Sequence, residues 1–270
     1  MRKVLAAVDG SLADAPVLIT ARALGELLGA DVEAIHVDAA GRADGTAAAE
    51  AAGVPLRVVT GDVVEELAGA GEEDDVAALV LGARGLPTDP RPLGATAEVV
   101  ATKVLKPVVI VPPDGIRPAA IRRILLPLEG TASSSHAPRV VLGLAQDVSL
   151  DVVVLHALGA EDIPSFTDQP QHEHRAWASE FLARYFPAGI AGVRMETRIG
   201  RAETLVPQVA EEFACDLIAL GWAQELAPGR APVVRAALQL SQRPVLLVPV
   251  RAHAALSEQS GVAAEDLARA

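Results

Sequence analysis

Apolar residues fall in short runs along the chain, separated by stretches in which they return every three or four positions. "KVLAAV" at 3–8 predicts a strand; Val17, Ala21, Leu24 and Leu28 follow at helical spacing, and "VEAIHV" at 32–37 predicts a second strand. Ser11, with Asp14 three residues on, is the expected N-cap of the helix, and Gly29 its C-cap. The alternation continues with an Ala-rich piece at 46–52, a strand at 56–60, a helix over 62–70, a strand at 76–81, a helix over 95–105 and a strand at 107–111. Strands this apolar, each separated from the next by a helix, need covering on both faces. The expectation is parallel βαβ units wound into a doubly wound sheet.

The pattern then returns. "KVLAAVDGS" at 3–11 is answered by "RILLPLEGT" at 123–131, and "AIHV" at 34–37 by "VLHA" at 154–157, both at an offset of 120. "ALVLG" at 78–82 pairs with "LIALG" at 217–221 at an offset of 139, so the second copy carries 139 − 120 = 19 extra residues between His156 and Gly200. "KPVVIVP" at 106–112 pairs with "RPVLLVP" at 243–249. The repeat predicts a first domain over 1–113, a Pro/Gly-rich linker at 114–120, a second domain over 121–250 and a tail at 251–270 outside the repeat. The fold class expected is α/β, two tandem doubly wound parallel five-stranded sheets.

Composition narrows the function. Apolar residues make up 51% and aromatics 3%, so the core is aliphatic. The formal charge of −12 disfavours nucleic acid and anionic membrane, both of which recruit Lys and Arg. One cysteine, Cys215, forms no internal disulfide and anchors no recognised zinc spacing. The apolar run before Asp9 is too short for a signal peptide, and no 18-residue apolar run occurs, so a cytoplasmic chain is expected. The acidic run "GEEDD" at 71–75 reads as solvated surface, and His172 and His174, two apart, would diverge on a helix rather than share a metal.

"LVLGARGLPTDPRPLGATAEVV", residues 79–100, runs from a buried strand into a helix start. Gly82 and Gly85 after the strand would let backbone N–H groups approach a phosphate, Arg84 would add a positive charge, and Gly94, Ala95 and Thr96 would lie at a helix N-terminus, which favours anions. The plainer reading is a tight corner in which the glycines serve only the packing of helix on strand. Spacing leaves both open.

"VLAAVDGS", "HV" at the second strand's end, "TGD" after the third and "LGARG…LGATAEVVATKVLKPVVIVP" together resemble a universal stress protein domain, twice in tandem over nearly all of residues 1–250. The resemblance implies a sheet closed into an intramolecular pseudo-dimer through the final strands, with a homodimer left open. It implies ATP or AMP, with or without Mg, against Asp9 and the backbone of Val37. It also implies phosphates at Gly82, Arg84, Gly85, Gly94, Ala95 and Thr96. The family motif G-x2-G-x9-G followed by Ser or Thr is not fully met: eight residues separate Gly85 from Gly94, and Ala95 stands at the hydroxyl position, with Thr96 one place later.

In the second copy Glu129, Gln224 and Ala231 replace Asp9, Gly85 and Gly94, so the nucleotide site is expected in the first domain only. The function expected is a stress-response sensor or regulator binding an adenine nucleotide, with slow hydrolysis at most, since no dedicated general base stands out. Two alternatives remain. One is a tandem stress protein that binds no nucleotide and acts as a scaffold for an unknown protein partner; the other is an ATP-using or flavin-carrying enzyme of related fold.

Overall fold

Alternating side chains along each strand divide between two apolar layers. In β1 (Lys3–Ala7) Val4 and Ala6 enter one layer and Leu5 the other; in β10 (Val245–Pro249) Leu246 and Val248 enter the first, Val245 and Leu247 the second. This period of two, with both faces apolar, is why the strands sit inside the molecule. The computed structural model describes residues 2–38, 45–83, 93–128, 150–159, 178–183, 185–186, 192–227 and 229–250.

The first half runs β1, α1 (Asp14–Leu28), β2 (Asp31–Val37), α2 (Thr46–Ala52), β3 (Leu56–Val59), α3 (Val63–Gly71), β4 (Val76–Gly82), α4 (Ala95–Lys103) and β5 (Val108–Val111). The second half shows β6 (Arg123–Pro127), β7 (Asp151–Leu158), β8 (Val193–Ile199), α5 (Ala202–Glu212), β9 (Leu217–Trp222), α6 (Pro232–Leu240) and β10. Strand order across the sheet is β3-β2-β1-β4-β5-β10-β9-β6-β7-β8. Each half is parallel throughout. The halves meet at β5 and β10, which pair antiparallel with Val109 opposite Leu246.

That junction makes one ten-stranded sheet of two five-stranded ones, the pseudo-dimer expected of the repeat. Both apolar layers run through it: Ile110 and Leu247 share one, Val109 and Leu246 the other. α1 covers the layer of Val4 with Val17, Leu18, Ala21 and Leu24; α3, α4, α5 and α6 cover the layer of Leu5. Among the described residues no helix is long and apolar enough to cross a membrane.

Two expected details come out differently. α1 begins at Asp14, with Ala13 as N-cap, because Ser11 is used inside the preceding turn; at the other end Gly29 takes the left-handed C-cap as expected, at φ 57°. The acidic run is not merely solvated. Glu73 and Asp75 lie 3.1 and 3.4 Å from Lys3 Nζ, and Glu73 is 2.7 Å from Arg57 Nη1, so the run closes an ion cluster at the N-terminal edge of the sheet. Arg84, Gly85, Glu129, His172, His174, most of the 19-residue insertion and the tail at 251–270 lie outside the described residues.

Candidate functional site

From β1 the strand order runs outward through β2 and β3 on one side, and through β4 and β5 on the other. The winding reverses between β1 and β4, and in such sheets a crevice opens beyond the carboxyl ends of these two strands. β1 and β4 pair in parallel, with Ala6 opposite Val80, so Asp9 and Gly82 leave the sheet at the same edge. Val37 ends β2 on β1's other flank. The chain after β4 returns to that edge, where the Gly94 N–H donates to the carbonyl of Ala83 at 2.8 Å just before α4 starts. Topology thus brings Asp9, Val37, Gly82, Gly94, Ala95 and Thr96 to one edge.

The turn after β1 is built on Asp14, which sequence reasoning used only as a helix-start signal. Its carboxylate, 3% exposed, accepts the N–H groups of Asp9 at 3.0 Å and Gly10 at 2.9 Å. Asp9 in turn accepts the Ser11 N–H at 3.0 Å, and the Ser11 hydroxyl accepts that of Ala13 at 3.2 Å. Gly10 sits at φ 82°, a conformation that side-chain-bearing residues rarely adopt. Burial pushes the Asp14 carboxyl above the ordinary aspartate range, the two N–H bonds pull it back, and the charge of Asp9 pushes it up again. The Asp9 side chain stays exposed at the crevice. Behind it, His36 Nδ1 lies 3.0 Å from the carbonyl of Val8 and ties the ends of β1 and β2 together; His156 repeats the contact to Leu128 at 2.8 Å.

At α4 the helix starts in the open. Gly94 is an extended N-cap, φ −66° and ψ 154°, with no side chain among the described residues capping the turn, and the first bond within the helix is Glu98 N–H to the Gly94 carbonyl. The N–H groups of Ala95, Thr96 and Ala97 therefore have no partner within the helix, and Ala95 and Thr96 are exposed. Gly82 has a packing reason of its own: a Cβ there would stand 3.0 Å from Cβ of Ala13, so the glycine lets α1 press on the end of β4.

The second half carries a cleft of about 440 Å³ at the corresponding edge, between the ends of β6, β7 and β9 and the first turns of α5 and α6. Its lining includes Leu128, Leu155, Val206, Trp222, Arg230 and Val234. Gln224 and Ala231, standing where the first half has glycine, both adopt left-handed backbone, at φ 59° and 43°. Gln224 is held there by its side chain, whose amide donates to the carbonyls of Val104 at 2.8 Å and Thr102 at 3.1 Å, at the end of α4 in the other half. Pro232 opens α6, so this helix start offers one N–H fewer than α4.

Residues 120–249 match the model of the universal stress protein family. This half is a universal stress protein domain. Residues before it repeat the same strand order, so the fold is that domain in tandem. A solved universal stress protein from Archaeoglobus fulgidus DSM 4304 shares the fold over 92% of this chain and 96% of its own, at 17% identity and a TM-score of 0.65. A functionally unknown protein from Pseudomonas aeruginosa PAO1 does so over 97% of each chain, at 14% identity and a TM-score of 0.66. No curated protein matches the sequence.

The universal stress domain matched at 120–249 differs from its partner half at Trp222. The position corresponds to Ala83, and the indole is 3% exposed with no acceptor for Nε1 among the described residues. The offset of 139 that aligns Gly82 with Gly221 also aligns Ala83 with Trp222, which is the signal by which sequence could have found it.

Proposed function

We propose that the chain is a stress-response sensor or regulator that holds an adenine nucleotide, ATP or AMP, in its first domain, residues 1–113, with 121–250 as the second domain. The observation that carries this is the start of α4, which no side chain among the described residues caps, at the same sheet edge as the exposed Asp9, where the winding of the sheet reverses. Three backbone N–H groups and the positive end of a helix favour an anion there. In this reading Ala95, Thr96 and Ala97 donate to phosphate, the Thr96 hydroxyl serves in place of one at Ala95, and Arg84 and Gly85 complete the cradle. Asp9 faces the ribose and the backbone of Val37 the adenine. A Mg ion would accompany the phosphates of ATP. We assign no group to orient an attacking water, so retention of nucleotide, not turnover, is the activity.

Titration calorimetry of ATP and of AMP into the full chain tests it, alongside Gly94→Val and Thr96→Ala checked for wild-type circular dichroism. Binding to the wild type, lost in Gly94→Val and weakened in Thr96→Ala, is the expected result. Equal binding by all three places the site elsewhere, and no heat from the wild type leaves the scaffold reading.

A further inference from the structure

A buried carboxylate is strongly unfavourable unless donors meet its oxygens. Asp14 is 3% exposed, and both oxygens are met: Oδ1 accepts the N–H of Asp9 at 3.0 Å and Oδ2 that of Gly10 at 2.9 Å. Although Asp14 is the first residue of α1, these bonds run back into the turn after β1. They hold two consecutive peptide groups, the second belonging to Gly10 at φ 82°. Asp9 then closes an Asx turn, its Oδ1 accepting the Ser11 N–H at 3.0 Å, so its carboxylate is tied on a short arm to backbone that Asp14 fixes. Asp9 itself is exposed, just past the carboxyl end of β1. The buried acid thus sets where the exposed one stands. At the offset of 120 that aligns the repeats, Gly130 answers Gly10 but Ser134 answers Asp14. A serine side chain has one oxygen and no charge, so the paired acceptor belongs to the first half.

We infer that Asp14 is a positioning residue for ribose: by holding the N–H groups of Asp9 and Gly10 it keeps the Asp9 carboxylate against the sugar hydroxyls, and so makes the first-half site selective for ribonucleotides over nucleotides that lack those hydroxyls. The inference rests on the adenine nucleotide placed there under the proposed function. If Asp14 served the turn alone, its loss would weaken every nucleotide alike; if it positions Asp9, its loss weakens only those with hydroxyls to read.

Titration calorimetry near neutral pH with ATP and with dideoxy-ATP, which lacks both ribose hydroxyls, tests this in the wild type, Asp14→Ala and Asp14→Asn, each checked for wild-type circular dichroism. The wild type should prefer ATP by about tenfold or more, as for a hydrogen bond to a charged group. Asp14→Ala should lose most of that preference through weaker ATP binding, with dideoxy-ATP held within about twofold. Asp14→Asn, with one acceptor left, should lie between. Asp9→Ala should lose the same preference, and Asp9→Ala/Asp14→Ala no more than Asp9→Ala alone, because the two acids act as one unit. Should Asp14→Ala lose wild-type circular dichroism, Asp14→Asn carries the same comparison. Full preference kept in a folded Asp14 variant, equal weakening of both nucleotides, further loss of preference in the double variant, or a wild type that binds both nucleotides equally overturns the inference and leaves nucleotide binding in place. A wild type that binds neither overturns the nucleotide reading, and this inference with it.

Discussion

The side-chain amide of Gln224, in the second half, donates to the carbonyl of Val104, in the first, at 2.8 Å. It also donates to Thr102 at 3.1 Å, so one residue caps the end of α4 across the junction of the two halves. The same residue pays a backbone penalty, at φ 59°.

Gln224→Ala removes both bonds and keeps a Cβ in the left-handed region, and should destabilise the chain by about 1–3 kcal/mol. Gln224→Gly removes the same bonds but relieves the backbone, and should lie about 1 kcal/mol above the alanine variant. Urea unfolding followed by circular dichroism measures both. Equal stability of wild type and alanine variant would mean that the cross-half bonds contribute nothing.

Asp14 gives the chain a pH dependence of one sign. Burial raises its carboxyl above the unfolded value of 3.8 despite the N–H bonds from Asp9 and Gly10, so the folded state holds this proton more tightly than the unfolded state. Stability from this group is therefore fully present below 3.8 and lost as pH rises through the folded value. The advantage of wild type over Asp14→Asn in denaturant midpoint should shrink as pH rises from about 4 towards neutrality. A constant difference would contradict the raised carboxyl.

Glu73 acts in the opposite sense. Burial pushes its carboxyl up, but hydrogen bonds and charge from Arg57 and Lys3 outweigh burial and hold it below the ordinary value of 4.5. Its contribution is present above 4.5 and lost as pH falls through the folded value. With the side chain 37% exposed, solvent screens the pair, and Glu73→Gln should cost under about 1 kcal/mol at neutral pH. Thermal melts at neutral and at acid pH should show the cost vanishing at the acid end and shrinking in high salt.

Cys215 is fully buried, and burial pushes its thiol up to about 11. A thiol held protonated and out of reach does not attack disulfides. An aromatic disulfide reagent near pH 8 should leave the native chain unlabelled and titrate one thiol after denaturation. Rapid labelling of native protein would place Cys215 nearer the surface than this fold does.

The repeat was legible because aliphatic strands and the residues that end them recur at fixed offsets, and the alternation of strands with helices pointed to parallel βαβ winding; the order β3-β2-β1-β4-β5 came from the structure. The start of α1 was not. Ser11 and Asp14 fit a capping pattern, but both spend their oxygens on the turn before the helix, a choice made by the burial of Asp14 under the β1–α1 turn. The acidic run was equally opaque. Its partners Lys3 and Arg57 lie on strands distant in sequence, and only sheet register brings them together.

Gln224 shows the limit most clearly. From its type alone, a glutamine argues against left-handed backbone, yet Gln224 adopts it, at φ 59°, with carbonyls of the other half receiving its side chain. Trp222 is similar: its alignment with Ala83 is visible in sequence, but whether its indole finds an acceptor depends on what surrounds it.

Apolar strand runs alternating with helical spacing, repeated once, determined that the molecule would be built of two like units of parallel strands covered by helices on both faces, because strands that apolar must bury both faces. The tertiary structure decided how the units join, at β5 and β10, and where their edges differ: an open helix start in one half and an apolar cleft in the other. Those outcomes rest on contacts between residues far apart in the chain, which local spacing does not encode.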